Sequence, residues 1–251
     1  MKIVFHERFY EVYSSDPAAA AGRMESIAKV VEGQYEFIPP DPATDEDLKR
    51  VHTEAHIQRT KSSRQIYEIG LLAAGGAILA AEMAWQGEPS FGLIRPPGHH
   101  ASPDSCWGFC YFNNMAIGIQ SLIAKEKVEK AFILDFDLHF GDGTDCFFKA
   151  NQNVVYFHPP SAHGKDYVRA IQNRLEHADR FDILGVSAGF DRHVDDWGGF
   201  LETEDYGKIG ALIKSCSRRI CQGRRFALLE GGYNHTVLGQ NVESFLTGFS
   251  N

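Results

Sequence analysis

The chain has 251 residues, 43% of them hydrophobic and 23% charged, enough length to bury a sizeable core. Its net charge of −8 argues against nucleic acid as the main partner and is compatible with a small cationic substrate. No window reaches the ~18 uninterrupted apolar residues that a membrane span needs, and Met1 to His6 read as a first strand rather than a secretion signal.

Short apolar runs at residues 3–5, 35–38, 91–94, 131–136, 154–157, 181–186 and 226–229 read as strands. Helix-length amphipathic stretches separate them, among them residues 70–85, 113–126, 164–177 and 204–221. Strands separated by helices predict βαβ units, and hence a three-layer α/β/α fold around a mostly parallel sheet. Pro39, Pro40 and Pro42 mark a turn rather than a linker, and no repeat interrupts the pattern, so residues 1–251 are expected to form a single domain. Five cysteines without a C-x-x-C spacing argue against both a disulfide framework and a cysteine-bound zinc site. They fit free thiols in a reducing cytoplasm.

Four of the strand-like runs lead directly into reactive side chains. Residues 91–94 are followed by Arg95, Pro96, Pro97, Gly98, His99 and His100. Residues 131–136 contain Asp135 and lead into Asp137, His139 and Asp142, residues 181–186 lead to Asp191, and residues 226–229 lead to Glu230, Gly231, Gly232 and Tyr233. Taken singly, these are ordinary features: an Asp after Ala-Gly is most often a cap or a turn. Parallel strands, however, would bring all four groups to one rim of the sheet, the edge where such folds bind ligands. Asp137 and His139 lie two apart on an extended backbone, so both side chains face one side. With Asp191 they give three metal ligands and an open position, the arrangement of a catalytic zinc site. A metal there would acidify a water and polarise a carbonyl. Two tandem histidines can supply a general base and a charge-stabilising imidazole, each needing an acceptor on its other nitrogen, and Asp135 and Asp142 are available. Tyr233, carried on glycines, can donate to a developing oxyanion. The combination predicts a metal-assisted hydrolase for an amide or ester.

Five collinear segments carry a resemblance: RPPGHHA at 95–101, GFCYFNN at 108–114, DFDLHFGDGT at 135–144, AGFD at 188–191 and LEGGYN at 229–234. In order and content they resemble the histone deacetylase and acetylpolyamine amidohydrolase superfamily. The resemblance implies the arginase–deacetylase fold, a zinc ion (iron in some members) and hydrolysis of an N-acetyl amide in an acetyl-lysine or acetylpolyamine substrate. It implies Asp137, His139 and Asp191 as metal ligands and His100 as the general base, with Asp135 holding His99 and Asp142 holding His100. Tyr233 becomes the oxyanion donor, Gly108 and Phe109 the wall of an acyl-lysine tunnel, Cys110 its floor, and Gly232 a substrate contact.

The chain departs from the pattern in four places. Phe140 stands where a second His is usual, which predicts altered surroundings and an intact metal site. The stretch from His158 to Asp191 is short for the family, so its second tunnel-wall aromatic has no clear counterpart; His163 and Tyr167 are the candidates, and a polar loop is favoured. The segment 59–65 offers no acidic residue to grip a peptide backbone. The potassium ion that many relatives hold beside the zinc would draw on Asp135 and Asp137, but its usual hydroxyl ligand from the next strand is replaced near Tyr156, which leaves a bound potassium ion an open expectation.

Two other functions stay open on the same motifs. A binuclear manganese ureohydrolase of the arginase type would need more aspartate ligands than Phe140 and the Arg192-His193-Val194-Asp195 stretch allow, which favours one metal. A non-catalytic acetyl-amine binder would be expected to lose Tyr233 or one of the paired histidines, and all are kept. Oligomeric state is not legible in the sequence.

Overall fold

The computed structural model describes residues 1–160 and 164–250; His163 lies outside the described residues. Seven strands form one sheet: β1 Lys2–Val4, β2 Glu36–Ile38, β3 Ser90–Gly92, β4 Ala131–Asp135, β5 Val154–Phe157, β6 Ile183–Ala188 and β7 Arg225–Leu229. Their order is β2-β1-β3-β7-β6-β4-β5, and every pairing is parallel. The central strands β4, β6 and β7 are buried along their whole length. Continuous apolar runs of this kind mark a parallel sheet covered on both faces.

Nine helices flank the sheet among the described residues: α1 Arg23–Val31, α2 Asp45–Lys49, α3 Glu54–Lys61, α4 Arg64–Trp85, α5 Asn114–Ala124, α6 Asp142–Phe148, α7 Lys165–Glu176, α8 Thr203–Ile220 and α9 His235–Phe249. Alternation along β3 separates the two helical layers. Ser90 Oγ donates to the Ala80 carbonyl of α4, while the ring of Phe91 meets Phe245 of α9 at 6.3 Å on the opposite face. In α8 the buried Tyr206, Ile209, Ile213, Cys216 and Ile220 recur at helical spacing and give the helix its apolar stripe, while Gly207 and Gly210 let it pack closely on α9. Helix α4 is long and apolar enough to cross a membrane by length and composition, and 61% of its most apolar window is buried inside the protein.

The predicted elements are present, with shifted ends. β6 begins at Ile183, not 181, because the Asp182 carboxylate accepts from the amides of Glu129 and Lys130, and the strand continues to Ala188. Its last two residues pair with Asp135 and Leu229, a tertiary partnership that local apolarity does not signal. Helix α4 starts six residues earlier than its apolar stretch, at Arg64, through turns carrying Arg64, Gln65 and Glu68. All five cysteines are free.

Candidate active site

The strands β3, β7, β6 and β4 are consecutive neighbours in the sheet, so the four reactive segments that follow them meet at its carboxyl edge. Asp137 and Asp191 are fully buried, and one donor atom from each of Asp137, His139 and Asp191 lies within 4.8 Å of the others. His139 Nδ1 stands 3.3 Å from both Asp137 Oδ1 and Asp191 Oδ2. No hydrogen bond from the described residues satisfies Asp191 Oδ2, although it is buried. An orphaned carboxylate oxygen beside a second carboxylate and an imidazole is a donor set suited to a divalent metal such as zinc. Gly231 lets β7 approach it: a Cβ there would lie 2.5 Å from Asp137 Oδ2 and 2.7 Å from Asp191 Oδ2, while its own amide donates to Asp137 Oδ2 at 2.8 Å.

The electrostatics follow from this crowding. His139 is raised to about 10 by the carboxylates of Asp137 and Asp191 beside its Nδ1. Burial, then the charge of Asp137, pushes Asp191 up to about 6. Burial works against ionisation of Asp137 as well, but the charge on His99 and bonds from His139 and the Gly231 amide outweigh it and lower its pKa.

The tandem histidines stack at 4.0 Å between ring centres, each on its own carboxylate. His99 Nδ1 lies 3.1 Å from Asp135 Oδ2, and His100 Nδ1 lies 2.6 Å from Asp142 Oδ1. Burial disfavours a charged His99, but Asp137, Asp135 and Glu230 together hold its proton well above the usual range. Burial and then the charge of His99 press His100 down to about 4, against the pull of Asp142. Two adjacent imidazoles are thereby pushed to opposite protonation states.

These groups open into a pocket of about 100 Å³ lined by Pro97, His99, His100, Trp107, Gly108, Phe109, His139, Trp197, Gly231 and Tyr233. Gly108 has φ of 58°, and a side chain there would run into the His100 ring. Phe109 follows in the same left-handed region, at φ of 67°, a conformation that costs a non-glycine residue on the order of 1–3 kcal/mol. Tyr233 is held from two sides. Its ring stacks on Trp197 at 4.0 Å, and the Asp196 carboxylate accepts from the amides of Tyr233 and Asn234 at 2.8 Å each. Its hydroxyl is raised by burial and by the charges of Asp137 and Asp191, so it stays a donor.

The structure brings together His99, His100, Asp135, Asp137, His139, Asp142, Asp191, Gly108, Phe109 and Tyr233. It does not bring Gly232 or Cys110 to the pocket wall. Gly232 turns its carbonyl to Arg23 Nε at 2.8 Å, because its φ of 118° rotates the peptide away. Cys110 is buried behind the wall, its Sγ accepting from the His100 amide at 3.4 Å. Tyr167 is not a wall residue either: it is fully buried, with its hydroxyl donating to the Phe136 carbonyl. Phe140 points outward and packs edge-on against Tyr156 and His158.

Sequence reasoning missed three residues. Trp197, on the loop after Asp191, supplies the second aromatic wall, meeting Phe109 at 6.4 Å. Trp107 stacks on His100 at 3.9 Å and donates Nε1–H to Asp142 Oδ2, so it fixes the carboxylate that orients the histidine. Glu230 is buried, accepts from the amides of Gly98 and His99, and is pushed by burial up to about 7. Nothing local in the sequence distinguishes the tryptophans; the structure shows that both are more than half exposed at the pocket.

Fold and site define an α/β protein with a donor set for one metal ion beside a paired-histidine pocket. A family model, the histone deacetylase domain, matches residues 17–167 and 157–249, and the chain belongs to that family of deacetylases and amidohydrolases. It is 28% identical to a probable deacetylase of Methanothermobacter thermautotrophicus, over 98% of this chain and 90% of that protein. It is 29% identical to a histone deacetylase-like amidohydrolase of Pseudomonas aeruginosa, over 88% of this chain and 75% of that one. The solved structure of the HDA15 HD domain superposes with a TM-score of 0.87 at 23% identity, covering 99% of this chain and 90% of the other, and shows the shared arginase–deacetylase fold.

Proposed function

We propose that residues 1–251 act as one catalytic domain that removes an acetyl group from an N-acetylated amine, either an acetyl-lysine side chain or an acetylpolyamine. Zinc is the proposed metal, with Fe²⁺ as the alternative ion. The convergence of Asp137, His139, Asp191, two carboxylate-bound histidines and Tyr233 on one narrow pocket supports this function most directly.

Asp137, His139 and Asp191 would hold the metal, which would supply Lewis acidity toward the amide carbonyl and acidify a water. His100, with its pKa near 4, is the neutral imidazole able to take the proton from that water, and Asp142 on Nδ1 leaves Nε2 for the task. His99 carries positive charge beside the reacting centre, where negative charge develops. Tyr233 donates its hydroxyl to the tetrahedral oxyanion, and His100 returns its proton to the departing amine. Trp107, Phe109 and Trp197 enclose the aliphatic stem and exclude water. Free thiols and the net charge of −8 fit a cytoplasmic enzyme acting on amines that carry further positive charge.

Protein loaded with Zn²⁺, Fe²⁺ or Co²⁺ and assayed on acetylpolyamines and acetyl-lysine peptides should release acetate from at least one class. No turnover with any of the three metals would overturn the assignment.

A further inference from the structure

Behind the metal ligands the main chain is polarised. The amides of Asp137, Leu138 and His139 donate to carboxylates on the metal side: to Asp135 Oδ1 at 3.1 Å, Asp191 Oδ1 at 3.0 Å and Asp137 Oδ1 at 2.9 Å. The carbonyls of Phe136, Asp137 and Leu138 accept from one side chain, the guanidinium of Arg192. Nε serves the first two at 3.1 and 3.0 Å, and Nη2 serves Leu138 at 3.2 Å and lies 3.1 Å from His158 Nε2. Arg192 is 1% exposed, with the ring of Tyr167 under it at 4.3 Å. Its hydrogen bonds among the described residues go to carbonyls and an imidazole, none to a carboxylate. A buried, permanent cation without an ionised partner at contact is costly unless a field of negative charge lies nearby. Here three peptide dipoles and the acidic cluster of Asp135, Asp137 and Asp191 provide that field.

Two of these residues, Asp135 and Asp137, are the ones on which a bound potassium ion would draw. Asp135 Oδ2 already accepts from the Tyr156 hydroxyl at 2.8 Å, and that hydroxyl in turn accepts from the Gly141 amide at 2.9 Å. The Asp137 carbonyl is taken by Arg192. The Asp135 carboxylate and the Asp137 carbonyl are therefore already engaged by donors of this chain.

We propose that Arg192 is a positioning residue and a built-in counter-cation: it clamps the 136–138 turn that presents Asp137 and His139, and, with Tyr156, makes bound potassium unnecessary. This rests on the metal centre proposed above, and zinc affinity rather than turnover reads it. Zinc affinity of the wild-type protein, measured by competition with a chromogenic chelator, should be the same in potassium, sodium and tetramethylammonium salts of equal ionic strength. Arg192→Met should weaken zinc binding roughly 10–100-fold, and Arg192→Lys, which keeps the charge without the fork, should fall between. A marked loss of wild-type affinity when potassium is withdrawn would overturn the proposal. So would wild-type affinity in a folded Arg192→Met protein, or equal losses in the Met and Lys variants. Wild-type protein that binds no zinc would overturn this role and the metal centre together. Tight zinc binding without deacetylation, with the variant ranking intact, would support the role of Arg192 and count only against the deacetylase function.

Discussion

His139 governs how the metal-free centre titrates. With its pKa at about 10, it keeps a proton at neutral pH between Asp137 and Asp191, where a metal would otherwise sit. A metal must displace that proton, so binding should release about one proton between about pH 6 and about pH 10. Affinity should rise roughly tenfold per pH unit across that window, because only the deprotonated ring is a ligand. Below about pH 6, where Asp191 also takes up a proton, the dependence should steepen. Calorimetric titration with zinc in buffers of different ionisation enthalpy measures the release, and none would contradict the ligand set. Tyr233→Phe keeps the ring stacked on Trp197 and removes only the hydroxyl. It should lower kcat by roughly 10²–10³ with zinc affinity unchanged; near-normal turnover would remove Tyr233 from the mechanism. The candidate ligands and proton-transfer groups were legible because each lies in a short segment at a strand end, whereas the pairing of His99 with Asp135 and His100 with Asp142 was implied only by the family resemblance. Trp197 and Arg192 were not legible, since nothing within a few residues of either states what lies opposite it in space.

At the scale of elements, the site depends on how closely strand ends and loops can pass. The turn after β7 crosses Asp137 and Asp191 at a distance only glycine permits. Gly231→Ala should therefore leave the far-UV circular dichroism unchanged while weakening zinc binding tenfold or more, on the order seen when groups orienting a metal ligand are disturbed. Equal affinity would mean that the turn yields more easily than its packing indicates. The loop from Arg192 to Gly199 supplies, through Trp197, the aromatic wall for which the short stretch from His158 to Asp191 offered no clear counterpart. It also anchors Tyr233 through Asp196, so one short loop shapes the pocket and orients the hydroxyl donor. The extension of β6 to Ala188 sets Asp191 at the right depth, and its cause is pairing with β4 and β7 rather than any local preference.

For the whole molecule, a metal held at this sheet edge binds only the folded chain, because Asp137, His139 and Asp191 come together only there. Zinc at a hundredfold excess over its dissociation constant should add about 2.7 kcal/mol of stability. For a chain of this size that is a rise of about 5–10 °C in Tm, checked by calorimetry before and after chelation. No shift would argue that the centre holds no metal. The sequence by itself determined the alternation of strands and helices, hence a parallel α/β sheet, and the residues able to hold a metal and move protons. Periodicity and short-range spacing carry that information, because they depend on neighbours along the chain. Only the tertiary structure decided the strand order that makes β3, β7, β6 and β4 adjacent, the tryptophans that wall the pocket, and the guanidinium beneath the 136–138 turn. Those depend on which distant segments meet once both faces of the sheet are buried, and single-chain patterning does not encode that in any one segment.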